Sequence, residues 1–265
     1  MKYQDFLTHS LSGATKIAQS QFGKVTGTTK AGDNNQVLTE ADLAIGKYLI
    51  AEITKYYPDH NIIDEEAGVI DNNSAYTWVV DPVDGTSNFA GGVPTYGILL
   101  GLLKEGTPIA GGSSLPFFDE LYWAEKGNGA YCNGQKIHVT SETELLKTLV
   151  AYGIDGHQEQ PQLTYDEVIV LGEIILNIRN LRSSGSAFDP MMVARGSYGA
   201  SLVKTSKIWD NVAIHIILEE AGAIYTDYYG ASMDYSKPLT KVDQNYTYCT
   251  AAAALHQQLQ VIIHS

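Results

Sequence analysis

Cysteine is nearly missing. Cys132 and Cys249 are the only two among 265 residues, and they form no CxxC pair. A disulfide framework and a cysteine zinc site are therefore disfavoured. Basic residues are scarce as well: 17 Lys and Arg stand against 30 Asp and Glu, for a formal net charge of −13. That balance disfavours nucleic-acid or anionic-membrane binding through a general basic surface. No apolar run is long enough to span a bilayer; the stretch 97–103 is typical of the longest. The first sixteen residues lack the basic start and apolar run of a signal peptide. No solenoid repeat or low-complexity segment occurs. These absences together lead us to expect a cytoplasmic location without membrane attachment.

What is present is a globular composition, 44% hydrophobic and 18% charged. The length suits one large domain or two intimate half-domains. Apolar spacing predicts a helix over 1–22, through Phe6, Leu7, Leu11 and Ile17, followed by a Gly/Thr/Lys loop over 23–33. Thr39 and Asp42 open a helical run over 41–57, with Leu43, Ile45, Leu49, Ile50 and Ile53 on its apolar side, and Pro58 stops it. The period then changes. Segments 61–64, 77–80, 96–103, 107–112, 121–125 and 130–133 read as strands, and Asn133-Gly134 as a hairpin-type turn. Past a break at 140–143, strands at 149–153 and 178–183 alternate with helices at 163–177, 187–194 and 211–221. Such alternation predicts a partly parallel sheet. The expected fold is mixed α/β. Residues 1–140 carry two helices and an antiparallel sheet, residues 141–265 an α/β half, and no flexible linker separates them.

Carboxylates at strand ends and helix starts are the features that can carry chemistry. The run Trp78-Val79-Val80-Asp81-Pro82-Val83-Asp84-Gly85-Thr86-Ser87-Asn88-Phe89 sends a buried strand straight into two of them. Pro82 fixes its own φ and biases Asp81 towards extended backbone. Asp84-Gly85-Thr86 reads as a turn with a helix-capping residue. This geometry sets two carboxylates, able to hold Mg²⁺, beside a short helix start whose free N–H groups can hold a phosphate oxygen. Upstream, Asp64-Glu65-Glu66 crowds three acids at a strand end, where they stay solvated or bind cations. Thr39-Glu40-Ala41-Asp42 is a helix start. Trp209-Asp210 begins an apolar helix that ends Glu219-Glu220-Ala221-Gly222, and His215 with Glu219 reads as a structural pair on it. Arg182-Ser183-Ser184-Gly185-Ser186-Ala187 offers small and hydroxyl residues that could face a ligand. Singly, each feature has an ordinary reading: an Asp-rich turn, a solvated acidic turn, a capping role for Asp42 or Asp210, a Ser/Gly loop capped by Ser186. An acidic chain that acts on an anionic phosphate needs a local positive source, and a bound divalent cation is the obvious one.

Taken together and in this order, these residues resemble the inositol monophosphatase family of metal-dependent sugar phosphatases. Trp78 to Phe89 is similar to its first signature, Trp-x-x-Asp-Pro-x-Asp-Gly-Thr-x-Asn-Phe, and Trp209 to Gly222 to its second, Trp-Asp before a helix ending Glu-Ala-Gly. Asp119-Glu120-Leu121, Ala124-Glu125-Lys126-Gly127 and Gly129-Ala130 resemble the hairpin region between them. The resemblance implies a layered αβαβα sandwich of two tightly packed half-domains. It implies a phosphomonoesterase for a small sugar or polyol phosphate, like inositol 1-phosphate, using metal-activated water. It further implies two to three Mg²⁺ ions with Mn²⁺ as a substitute, inhibition by lithium, and a homodimer. Carried over residue by residue, Glu65 and Asp81 with the carbonyl of Val83 would bind the first metal. Asp81, Asp84 and Asp210 would bind the second, and Glu65 would help hold a weaker third. Thr86 with Glu65 would orient the attacking water, Asp42 would pair with Thr86, and the amides of Gly85 and Thr86 would hold the phosphate. Gly185, Ser186, Ala187 and Asp210 would approach the sugar.

The chain departs from that pattern in places. Asp64 stands where the family has a small residue, and this extra acid either adds to metal binding or points outward. Ala223 replaces a second Gly. Val203 stands seven residues before Asp210, where inositol-specific members carry a Glu that contacts substrate hydroxyls, so strict inositol specificity is not expected. Loops at 154–161, 183–186 and 200–207 are expected to set the substrate. A fructose-1,6-bisphosphatase or a broad sugar phosphatase shares these motifs. A nucleotide 3′-phosphatase fits less well, since Ser87-Asn88-Phe89 replaces the Lys-Glu-Phe those relatives carry. A non-catalytic regulator of the same fold would be expected to have lost a metal carboxylate, yet Glu65, Asp81, Asp84 and Asp210 are all present.

Overall fold

Two helices open the chain in a computed structural model that describes residues 1–29 and 37–265. They are α1 (Tyr3–Gln21) and α2 (Glu40–Tyr56). Thr39 caps α2: its hydroxyl accepts from the Ala41 amide at 3.2 Å, while Asp42 Oδ2 accepts from the Thr39 amide at 2.8 Å. This is a capping box. The buried face of α2 runs through Ala41, Asp42, Ile45, Gly46, Leu49 and Ile53. Leu43, expected on that face, is 53% exposed; two residues past Ala41 is about 200° around a helix, which turns it away from the core. Part of the expected 23–33 loop lies outside the described residues. Beside it, β1 (Thr28–Thr29) pairs with β2 (Val37–Leu38).

The first large sheet contains β3 (Asn61–Asp64), β4 (Gly68–Ile70), β5 (Tyr76–Asp84), β6 (Gly97–Lys104), β7 (Thr107–Leu115), β8 (Glu120–Glu125), β9 (Gly129–Cys132) and β10 (Gln135–Ile137). Their spatial order is β10-β9-β8-β7-β6-β5-β3-β4, and only β3 and β5 run parallel. The short helix α3 (Thr86–Ala90) follows β5. The edge strands β4 and β10 were not legible from local pattern, because three residues are too few to establish an alternation.

The second sheet has the order β12-β11-β13-β15-β14, from β11 (Leu149–Gly153), β12 (Asn180–Arg182), β13 (Ala200–Ser206), β14 (Ile224–Thr226) and β15 (Tyr246–Ala251). The first three are parallel, and β15 is antiparallel to both neighbours. Helices α4 (Pro161–Leu176), α5 (Phe188–Ala194), α6 (Ile208–Glu220) and α7 (Ala253–Ile263) complete this part. The segment expected as a loop at 200–207 is mostly β13. Its Ser and Lys residues blur the apolar pattern, and the ladders to β11 and β15 that stabilise it come from distant sequence.

Among the described residues, apolar clusters separate the layers. One joins α1 and α2 to the first sheet through Phe6, Leu11, Ile45, Trp78 and Leu100. A second places α5 and α6 between the sheets, with Leu99 and Tyr122 on one side and Tyr225 and Tyr248 on the other. A third packs α4 and α7 on the outer face of the second sheet through Leu171, Ile174, Leu255 and Leu259. The result is an αβαβα sandwich. Helix α6 lies directly on the first sheet because Gly101 and Gly111 carry no side chain. A Cβ on Gly101 would stand 2.7 Å from Val212 Cγ1, and one on Gly111 would stand 2.6 Å from Ile216 Cγ2. Among the described residues, no helix is long and apolar enough to cross a membrane.

Candidate active site

The parallel pairing of β3 and β5 sets Asp64 beside Val80, so Glu65, just past the end of β3, comes beside Asp81, which still pairs with Leu99 of β6. The Glu65 amide still donates to the Val80 carbonyl at 3.2 Å. Asp81 and Asp84 are three residues apart, a spacing that puts side chains on opposite faces of a regular strand. Here the β5–β6 register shifts between them, and Asp81 Oδ1 accepts the Val83 amide at 3.1 Å. Pro82 offers no N–H to the ladder. The irregularity turns both carboxylates to one side. Asp210 reaches the same point from the first turn of α6, and one carboxylate oxygen each from Asp81, Asp84 and Asp210 lies within 4.8 Å of the others. Asp210 is not the N-cap that its place in the sequence suggested. The helix starts at Ile208 with Lys207 as cap, and Asp210 Oδ2 accepts the Lys207 amide at 2.6 Å.

Burial, reinforced by repulsion from Glu65, Asp84 and Asp210, raises the Asp81 carboxyl well above the ordinary range. Burial and then the charge of Asp210 do the same to Asp84. Asp210 is pushed up to about 6, again mainly by burial, with the Lys207 amide and charge opposing. Asp81 and Asp210 lie close enough for each to bear on the other's protonation. Carboxylates this crowded must either hold protons or share a cation. The donor set is all oxygen, which suits a hard divalent ion such as Mg²⁺ or Mn²⁺.

The chain then turns sharply at Gly85, whose φ of 85° is left-handed and which caps α3. Any Cβ there would also stand 2.7 Å from Ser186 Cβ, so the Ser183–Ala187 segment lies against the turn. Asn88 ties the two together: its Nδ2 donates to the Thr95 and Ser184 carbonyls, each at 2.7 Å. Asp189 Oδ2 accepts the Ser184 amide at 2.8 Å, and the Ala187 amide lies near enough to Asp84 to oppose the rise in its pKa. Behind Thr86, the buried Asp42 is gripped by Thr39 and lies 3.1 Å through Oδ1 from the Thr86 hydroxyl. That hydroxyl is 2.7 Å from the Val83 carbonyl.

A cleft of ≈ 370 Å³ is lined by Glu65, Asp81, Val83, Asp84, Gly85, Thr86, Gly185 and Asp210. A second cavity of ≈ 200 Å³ adjoins it and takes in Ser186, Ala187 and Val203. Asp64 stands apart from both and fits neither expectation made for it. It is 1% exposed, and its Oδ1 accepts the Glu66 and Ala67 amides at 2.9 and 2.8 Å. Its Oδ2 packs against Gly46, where a Cβ would stand 2.9 Å away. Asp64 therefore shapes the turn that carries Glu65. Sequence reasoning missed Asn88 as a tie between the halves, although it sits within the first signature. Asp155 and Lys207, which line the cleft, fall in the 154–161 and 200–207 segments expected to set the substrate, though neither residue was singled out there.

A family model described as the inositol monophosphatase family matches residues 2–261. A protein of Aquifex aeolicus called fructose-1,6-bisphosphatase/inositol-1-monophosphatase is 32% identical over 228 residues, covering 85% of each chain. A histidinol-phosphatase of Chlorobaculum parvum is 29% identical over 217 residues, covering 82% of each. Among solved structures, a Thermotoga maritima IMPase superposes with a TM-score of 0.87 at 25% identity, covering 100% of this chain and 97% of the other.

Proposed function

The chain belongs to the inositol monophosphatase family of metal-dependent phosphomonoesterases, and from that premise we propose that it hydrolyses a small sugar or polyol phosphate with Mg²⁺ bound at its carboxylates. The observation that carries the reading is the meeting of Asp81, Asp84 and Asp210 within 4.8 Å, beside the Gly85–Thr86 turn. Two chain segments far apart in sequence bring acids together at a cost in repulsion that a ligand of opposite charge offsets.

In this reading Glu65, Asp81 and the Val83 carbonyl hold one ion, and Asp81, Asp84 and Asp210 hold another, with Glu65 contributing to a weaker third. When bound, such ions activate water and stabilise the charge on the leaving oxygen. The protein's own groups do the positioning. The Thr86 hydroxyl has one proton and two inward acceptors, Val83 O at 2.7 Å and Asp42 Oδ1 at 3.1 Å. With its proton held inward, the oxygen turns a lone pair to the cleft and accepts from a water there, which Glu65 helps orient. The amides of Gly85 and Thr86 take a phosphate oxygen at the start of α3. Gly185, Ser186 and Ala187, held against the turn by Asn88, meet the sugar together with Asp210.

The fructose-1,6-bisphosphatase reading is favoured by the name of the Aquifex aeolicus relative. The family further supports inhibition by lithium, a cytoplasmic location and a homodimer. Exposed Tyr165, Ile169 and Leu176 on α4 support the dimer. The deciding experiment is phosphate release by purified protein across inositol, sugar, polyol and nucleotide phosphates, with Mg²⁺ and with EDTA. We expect turnover with Mg²⁺ that EDTA abolishes. Equal release in EDTA, or none on any ester, would overturn the proposal.

A further inference from the structure

The carboxylate missing at Val203 has a counterpart on the next strand. Val203 of β13 pairs in register with Gly153 of β11, and the two strands are parallel. The chain leaving β11 therefore passes the same end of the sheet and, two residues later, carries Asp155. Asp155 is exposed and lines both the carboxylate cleft and the adjoining cavity, which Val203 also lines. It is near enough to the cluster for its charge to bear on Asp210.

The backbone on either side of Asp155 is anchored. The Tyr152 hydroxyl donates to the Tyr228 hydroxyl at 3.0 Å, and the His157 amide donates to Thr164 Oγ1 at 2.8 Å. The cavity it faces carries the hydroxyl residues Ser186, Ser201, Thr205 and Tyr248, and no Lys or Arg among the described residues that line it. A carboxylate accepts hydrogen bonds but donates none. A polyol entering here finds acceptors for its hydroxyls, whereas a second phosphate meets the like charge of Asp155.

Resting on the phosphatase reading above, we propose that Asp155 is a specificity-determining residue. It accepts hydrogen bonds from the hydroxyls of the esterified polyol, in place of the Glu absent at position 203, and selects polyol monophosphates over bisphosphates. A site built to bond a hydroxyl discriminates far more strongly than an apolar contact such as Val203.

The test compares kcat/KM for inositol 1-phosphate, fructose 1,6-bisphosphate and 4-nitrophenyl phosphate at saturating Mg²⁺. The proteins are the wild type, Asp155→Asn, Asp155→Ala and Asp155→Ala/Val203→Glu. In Asp155→Ala the loss on inositol 1-phosphate should exceed that on 4-nitrophenyl phosphate by about 10-fold or more, and the relative preference for the bisphosphate should rise. Asp155→Asn keeps one acceptor oxygen and loses the charge. It should show a smaller selective loss and the same rise for the bisphosphate, and it serves alone if the Ala variant misfolds. Val203→Glu should restore part of the preference for inositol 1-phosphate. Equal losses on all three esters, or no change on any, would overturn the assignment of Asp155. Failure of the wild type to hydrolyse any of the three would instead overturn the phosphatase reading.

Discussion

Asp42 shows how one residue serves two ends. One of its oxygens closes the capping box of α2 and the other meets Thr86, so the capping role leaves room for the proposed pairing with Thr86. At the cluster, Asp84→Asn or Asp210→Asn removes one of the converging charges. Each should lower kcat by about a hundredfold or more, since charge aimed at the reacting oxygens is the main catalytic resource of such a site. Folding should survive, because neutralising a crowded carboxylate relieves repulsion. Near-normal turnover of either variant at saturating Mg²⁺ would contradict the ligand assignment. Thr86→Ala should lower kcat by roughly a hundredfold with little change in KM, as loss of a group that positions a proton transfer does. A raised KM with normal kcat would make Thr86 a phosphate contact only.

Among the elements, α6 matters most. It is buried between the two sheets, and its first turn delivers Asp210. Its far end is fixed by Glu220, whose two oxygens accept the Gly127 and Gly129 amides, each at 2.7 Å. That gives the Glu of the second signature a structural reason: it clamps the turn between β8 and β9. Because α6 rests on Gly101, Gly101→Ala should cost about 1–3 kcal/mol through overpacking and should weaken Mg²⁺ binding by displacing Asp210. Gly172→Ala is the control. It lies in α4 with open space around the added Cβ, and should be neutral or stabilise by about 0.5–1 kcal/mol. Thermal melts and Mg²⁺ titrations of both variants give the answer; unchanged Mg²⁺ affinity in Gly101→Ala would detach the site from this packing.

For the whole molecule, the proposed metal ligands come from two separate elements, β5 of the first sheet and the start of α6 between the sheets. Ions bound there should staple the sandwich. Mg²⁺ at a hundred times its Kd should stabilise the fold by about 2.7 kcal/mol, read as a rise in Tm over EDTA, and Asp210→Asn should remove most of that rise. Acid should act through a different place. His60 is stacked between Tyr57 and Tyr76 with ring centroids 5.0 and 4.7 Å away, and burial lowers its pKa. The unfolded chain takes up this proton first, near pH 6.5. Stability from the neutral ring is therefore present above that pH and lost as pH falls towards the lower folded value. Between pH 7.5 and 5.5 His60 therefore lowers Tm, against the crowded Asp81, Asp84 and Asp210, whose raised pKa values favour the folded chain as pH falls, and His60→Phe should make Tm in acid higher relative to Tm at pH 7.5 than in the wild type. An equal slope in the variant would place the sensitivity elsewhere, with His256, also lowered by burial, the next group to replace.

By itself, the sequence determined whatever depends on neighbours along the chain. That covers α1 and α2 with their apolar spacing, the strand–turn–helix of Trp78 to Phe89, and the apolar α6. It also covers the family, because these signatures are contiguous. Only the tertiary structure decided what depends on distant partners. It converted 200–206 from an expected loop into β13, because the ladders to β11 and β15 supply the backbone bonds that local polarity argued against. It turned Asp64 inward, since the space left by Gly46 lies on a separate element, α2. It brought Asp210 to Asp81 and Asp84 through glycines in β6 and β7, and set Asp155 beside Val203. Local pattern is fixed by covalent geometry and the period of each element, whereas the meeting of carboxylates from separate elements is fixed by packing, which a one-dimensional string does not contain.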